Sequence, residues 1–232
     1  GEGRLEEVLE RLIRLKPGPD RLYEAYTFLL LVEAALSLGS VSELDLSKRV
    51  ALIKADEVSL GVRGSGIPDV VKERSWLVNQ SPKSLITGKE IKASLSGAPD
   101  LWIGVRMDSS EKWAFVECKF SKSAEYLRAS VWKVLGYMEN LQVSGVLAFP
   151  GVVTGDSVDE AAILEILRST GHEGGLFFED RERNRLLVTV RLNPLVGYQR
   201  NLEIVKYLVG KLLSCLLSRV QESTLLRRVH SG

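Results

Sequence analysis

Cysteine and histidine are scarce in this sequence, with two of each among 232 residues. Cys118 and Cys215 lie far apart, and Cys118 sits inside a strand pattern. A disulfide framework is therefore not expected, and a reducing, intracellular setting is. His172 and His230 stand in polar or terminal contexts, which argues against a zinc site or a His-dependent catalytic triad. An excess of charge of one sign is also missing: 31 basic and 30 acidic residues leave a net charge of +1. There is no global basic footprint, so any contact with nucleic acid must come from a local cluster. No apolar run reaches the length of a membrane span, and the opening "GEGRLEEVLERL" lacks the apolar core of a signal peptide. The expectation is a soluble, cytoplasmic protein without membrane contact.

The chain is long enough to bury a core, as one large domain or two small ones, and its 45% hydrophobic content fits an ordinary globular protein. Residues 4–15 place Leu5, Val8, Leu9, Leu12 and Ile13 at helical spacing, and Pro17, Gly18 and Pro19 stop that helix. Asp20 is placed to cap a second helix over 20–39, apolar nearly all round and so expected to be buried. Within 40–98, strands are predicted at 49–55, 57–64, 74–80 and 90–97; they read either as a meander leading into a sheet or as a partly independent insertion. A hairpin over 100–105 and 113–120 follows, then a helix over 123–141 and a strand over 143–150. Beyond it come a helix around 157–170, strands at 175–180 and 185–192, and a long helix over 201–221. This order predicts an α/β fold with a mixed central β-sheet flanked by helices. The expected organisation is an N-terminal helix (1–19), a core (20–150) and a C-terminal α/β extension packing on that core (151–232).

The chemistry concentrates in "GAPDLWIGVRMDSSEKWAFVECKFS", residues 97–121. Strand side chains alternate between faces, so Trp113, Phe115, Glu117 and Lys119 share one face and Ala114, Val116, Cys118 and Phe120 the other. The strand is apolar until its end, where an acid and a base appear on one face. If 100–105 and 113–120 pair as a hairpin, Asp100 at the start of the first strand meets Glu117 at the end of the second. Two close carboxylates repel unless a hard cation bridges them through oxygen, and Mg²⁺ is such a cation. Lys119 beside them is placed to orient a water or hold a phosphate as a point charge. Cys118, pointing away, reads as a packed core residue.

Pro99-Asp100 followed by Glu117-Cys118-Lys119 resembles the PD-(D/E)XK nuclease superfamily, with its restriction-endonuclease-like core. The resemblance implies that Asp100, Glu117 and the main-chain carbonyl of Cys118 hold Mg²⁺ or Mn²⁺ and that Lys119 is the catalytic lysine. It makes Glu24, in "RLYEAY" on the first core helix, a further catalytic and metal-binding acid. Lys133 and Tyr137, one turn apart on the helix after the E-x-K strand, and Lys122 are the implied contacts to nucleic acid. The implied activity is Mg-dependent hydrolysis of phosphodiester bonds in DNA, or in RNA, by an endonuclease that works alone or as a homodimer. The long C-terminal helix, with Leu202, Val205, Leu208, Val209, Leu212 and Leu213, reads as core or dimer packing and is a candidate dimer contact.

Plainer readings of the same residues stand beside these. Asp100, Glu117 and Lys119 can form a structural ion pair at a sheet end, and Glu24 can be a first-turn acid favoured by the helix dipole. Glu33, nine positions on, faces the opposite side from Glu24. Pro-Asp recurs at Pro19-Asp20 and Pro68-Asp69, and Asp69 with Glu90 and Lys92 forms a second string match. Charged "VVKERS" after Asp69 lacks the apolar run of a core strand, which favours the set at 100, 117 and 119. A nuclease fold that binds nucleic acid or a protein partner without turnover is the alternative function.

Overall fold

The computed structural model describes residues 18–64, 66–73, 98–108, 110–121, 123–150, 175–180 and 185–230. The helices expected over 4–15 and 157–170, the strands expected at 74–80 and 90–97, and Lys122 lie outside them. Helix α1 (Pro19–Leu36) leads into strands β1 (Ser40–Asp45), β2 (Val50–Ala55) and β3 (Val58–Gly64) and the one-turn helix α2 (Asp69–Lys72). Strands β4 (Leu101–Met107) and β5 (Ser110–Cys118), helix α3 (Ala124–Leu141) and strand β6 (Ser144–Phe149) follow. Strands β7 (Gly175–Asp180) and β8 (Arg185–Arg191), a 3₁₀ turn (Pro194–Val196) and helix α4 (Tyr198–His230) close the order.

The eight strands among the described residues form one mixed sheet, ordered β1-β2-β3-β4-β5-β6-β8-β7. The pairs β5–β6 and β6–β8 are parallel and the others antiparallel. β6 is buried at every position, as expected of a parallel strand covered on both faces. Helix α3 joins β5 to β6 as the crossover of a βαβ unit, starting at Ser123, whose hydroxyl accepts the Tyr126 amide at 3.2 Å.

Two apolar layers cover the sheet. On one face α1 and α4 pack over Leu101, Ile103, Val105, Val116, Cys118, Val146 and Val188. On the other, α3 brings Leu127, Val134, Tyr137, Met138 and Leu141 onto Trp102, Phe115, Leu147 and Leu187. The apolar stripe of α4 (Leu202, Val205, Leu208, Val209, Leu212, Leu213) is buried within the chain and is therefore spent on the core rather than offered to a second copy. Among the described residues no helix is long and apolar enough to cross a membrane.

Several details differ from the sequence reading. Asp20 does not cap α1: Gly18 is the N-cap, Pro19 opens the helix, and Asp20 sits in its first turn, where its charge complements the dipole. β1 was not foreseen, because this edge strand is exposed along most of its length and carries no alternating apolar pattern. Residues 40–64 are a meander belonging to the sheet. Residues 175–230 add two strands to that sheet and a helix to the layer shared with α1, so they complete one core.

Trp113 shows how tightly the sheet is dressed. Gly61, Gly104 and Trp113 form a row across β3, β4 and β5, and the indole lies over both glycines. A Cβ on Gly61 would stand 2.8 Å from the ring, and one on Gly104 would press on it more closely still. Gly104→Ala should lower stability by roughly 1–3 kcal/mol through overpacking, read as a shifted urea midpoint; an unshifted midpoint would mean that Trp113 lies elsewhere.

Candidate functional site

Strand register brings the charged residues together. Leu101 pairs with Val116, which sets Asp100 level with the end of β5. Continued by two residues, that register puts Pro99 opposite Cys118. The Cys118 amide points toward β4 and donates to Asp100 Oδ2 at 2.7 Å. Its carbonyl points the same way, and proline has no amide proton to give it. The Lys119 amide donates instead to the Ala148 carbonyl at 2.9 Å, extending the parallel ladder with β6 and fixing where the Lys119 side chain starts. The acids thus lie at the carboxyl ends of β5 and β6, where sheets of this kind offer ligands an opening.

Glu117 is fully buried, on the face covered by α3. Its Oε1 lies 2.6 Å from Lys119 Nζ and 2.7 Å from Lys133 Nζ. Its Oε2 is buried with no hydrogen-bond partner. Asp100 Oδ2 is 4.0 Å from Lys119 Nζ. Two carboxylates and two ammoniums therefore balance, with one oxygen of the innermost acid left over.

Asp100 feels this crowding. Burial, and then the charge of Glu117, push its carboxyl up to about 6, against the Cys118 amide and Lys119, with Glu24 adding a last small push. Burial works to lower the Lys119 and Lys133 ammoniums, but the hydrogen bond and charge of Glu117 outweigh it and hold both above the ordinary lysine value. Each remains a cation near neutral pH, so neither serves as a general base there. Burial drives the Cys118 thiol well up, as for an inert core cysteine.

The other candidates fall differently. Glu24 is tied to Arg49 at 3.0 Å, on the face opposite α3, so it approaches the acids by charge but not by contact. Arg49, just before β2, was not singled out; its pairing with Glu24 spans 25 positions and leaves no local signal. Lys133 reaches the site, but as a partner of Glu117. Tyr137 is buried beneath it, its ring edge-on to Phe115 and capped by the Lys133 ammonium 5.3 Å from the centroid. Its ring supports Lys133. Asp69 of the second string match is solvent-exposed and bonded to Lys72 at 2.9 Å on a helical turn, away from any core strand.

Among the described residues, no three acidic, histidine or cysteine side chains converge at metal-ligating spacing. What does fit a hard cation is the orphaned Glu117 Oε2 beside Asp100, whose carboxyl is pushed up by burial and by the charge of Glu117. No family model, curated protein or solved structure matches the chain.

The raised value of Asp100 has a defined sign. Its contribution to stability is full below the ordinary value of 3.8 and is lost as pH rises through about 6. Relative to Asp100→Asn, the metal-free wild type should lose up to about 3 kcal/mol between pH 4 and 7, measured by denaturant unfolding. A flat difference across that window would refute the assignment.

Proposed function

We propose that this chain is a metal-dependent nuclease that hydrolyses phosphodiester bonds in DNA, with a restriction-endonuclease-like core built around Asp100, Glu117 and Lys119. The observation that carries the reading is the meeting of these three groups at the carboxyl end of β5, with Glu117 Oε2 buried and unpartnered. Asp100, Glu117 and the Cys118 carbonyl are the groups to hold Mg²⁺ or Mn²⁺. Bound there, the ion supplies an acidified water and charge neutralisation at the phosphate.

The protein's own residues do the rest. Lys119, held between the two carboxylates and cationic at neutral pH, stabilises negative charge as it builds on the phosphate. The Cys118 amide fixes the Asp100 carboxylate through Oδ2. Burial of Glu117 against α3 excludes water from its inner side and strengthens every charge interaction there. The Asp100, Lys119 and Lys133 side chains are each partly exposed, so solvent reaches the cluster from their side.

A second reading is favoured by the balance of charge. With both lysines spent on Glu117, the same fold can bind nucleic acid or a protein partner without turnover. That reading predicts salt-dependent binding indifferent to metal and to Lys119.

Plasmid, single-stranded and branched DNA incubated with and without Mg²⁺ separate the two. The nuclease reading expects cleavage that stops with chelator and falls by at least about 100-fold in Lys119→Ala, giving 5′-phosphate and 3′-hydroxyl ends. Cleavage that persists with chelator or in that variant would overturn it.

A further inference from the structure

Lys133 is the one member of the charged cluster that neither strand supplies. It reaches in from α3 and shares Glu117 Oε1 with Lys119, at 2.7 and 2.6 Å, while Oε2 takes nothing. Two ammoniums crowded on one oxygen repel each other, and that arrangement is stable only while no better cation is present. The two lysines are not equally free to leave. The main chain of Lys119 is pinned to β6, its side chain is 15% exposed, and it also approaches Asp100. The Lys133 side chain is 40% exposed and lies over the face of Tyr137, a resting place on the way to solvent.

Charge counting decides which way the balance moves. Asp100 and Glu117 against Lys119 and Lys133 sum to zero. A divalent ion between the carboxylates would leave an excess of two positive charges in a poorly solvated pocket. The least constrained monovalent cation is the one expelled.

We propose that Lys133 is an exchangeable counter-cation: it holds Glu117 until a divalent ion binds, yields to it, and then presents its ammonium to the phosphate backbone of the substrate. This rests on the nuclease reading for the identity of the ion and the substrate. It adds what that reading lacks, a reason for two lysines on one buried carboxylate oxygen.

The test is calorimetric titration of Mn²⁺ into the metal-stripped full chain, comparing wild type, Lys133→Met and Lys133→Arg. Removing the competing ammonium in Lys133→Met should tighten Mn²⁺ binding by roughly 10-fold, a usual size for coupling between two ligands. Lys133→Arg should weaken it, because a guanidinium can fork onto both carboxylate oxygens, Oε2 included. In Lys133→Met, the gain in affinity for a fluorescein-labelled phosphorothioate oligonucleotide on adding Mn²⁺ should shrink. Equal Mn²⁺ affinity in wild type and Lys133→Met overturns the exchange, even if wild type cleaves DNA. Tighter binding by Lys133→Met with no cleavage by wild type supports the exchange and removes the nuclease reading. Absence of Mn²⁺ uptake in all three proteins overturns both. If Lys133→Met does not fold, the Arg variant decides: binding as tight as wild type overturns the exchange.

Discussion

A carboxylate with no access to water is the constraint around which this molecule is arranged. Glu117 stands at the end of a core strand, fully covered, where an uncompensated charge would be far more costly than any single apolar contact could offset. Its neighbours answer that cost. Lys119 comes from the residue after the same strand, and Lys133 from the helix that covers it. Phe115 and Tyr137 pack edge to face beneath them and keep the helix at the distance the second lysine requires.

The sheet's mixed construction puts the opening where these groups lie. Antiparallel pairing brings the start of β4 to the end of β5, which is how Asp100 comes to accept from the Cys118 amide. Parallel pairing of β5 with β6 ends at the same level, through the bond from Lys119 to Ala148. Pro99 adds a subtraction: a residue without an amide proton at the point where the ladder would otherwise have continued. Pairing with β4 ends at Leu101 and Val116, and the Cys118 amide turns to the Asp100 carboxylate instead.

Much of this was legible in the sequence because strand periodicity is local. The alternation in "WAFVECKF" separates Glu117 and Lys119 from Cys118 before any tertiary contact is known, and the structure keeps that separation. The hairpin over β4 and β5, the helix between β5 and β6, and the buried character of α1 and α4 follow from the same kind of pattern. What sequence could not carry depended on how elements cross. Whether Lys133 points at a phosphate or at Glu117 depends on the placement of α3 over the sheet, which its own spacing does not encode. The same holds for Arg49 and Glu24. β1 escaped because an edge strand with little to bury has little periodicity to read.

The packing of α1 against α4 has a consequence for how the chain is made. Tyr23 near the start of α1 donates to the Leu192 carbonyl, and Tyr26 accepts from Asn201, contacts that span 169 and 175 positions. β8 likewise inserts between β6 and β7, strands that precede it in the chain. A nearly all-apolar helix synthesised early thus waits for a partner synthesised late. Closure of such distant pairs slows folding and leaves sticky surface uncovered meanwhile. During translation, α1 stays without its α4 cover until the ribosome has delivered α4.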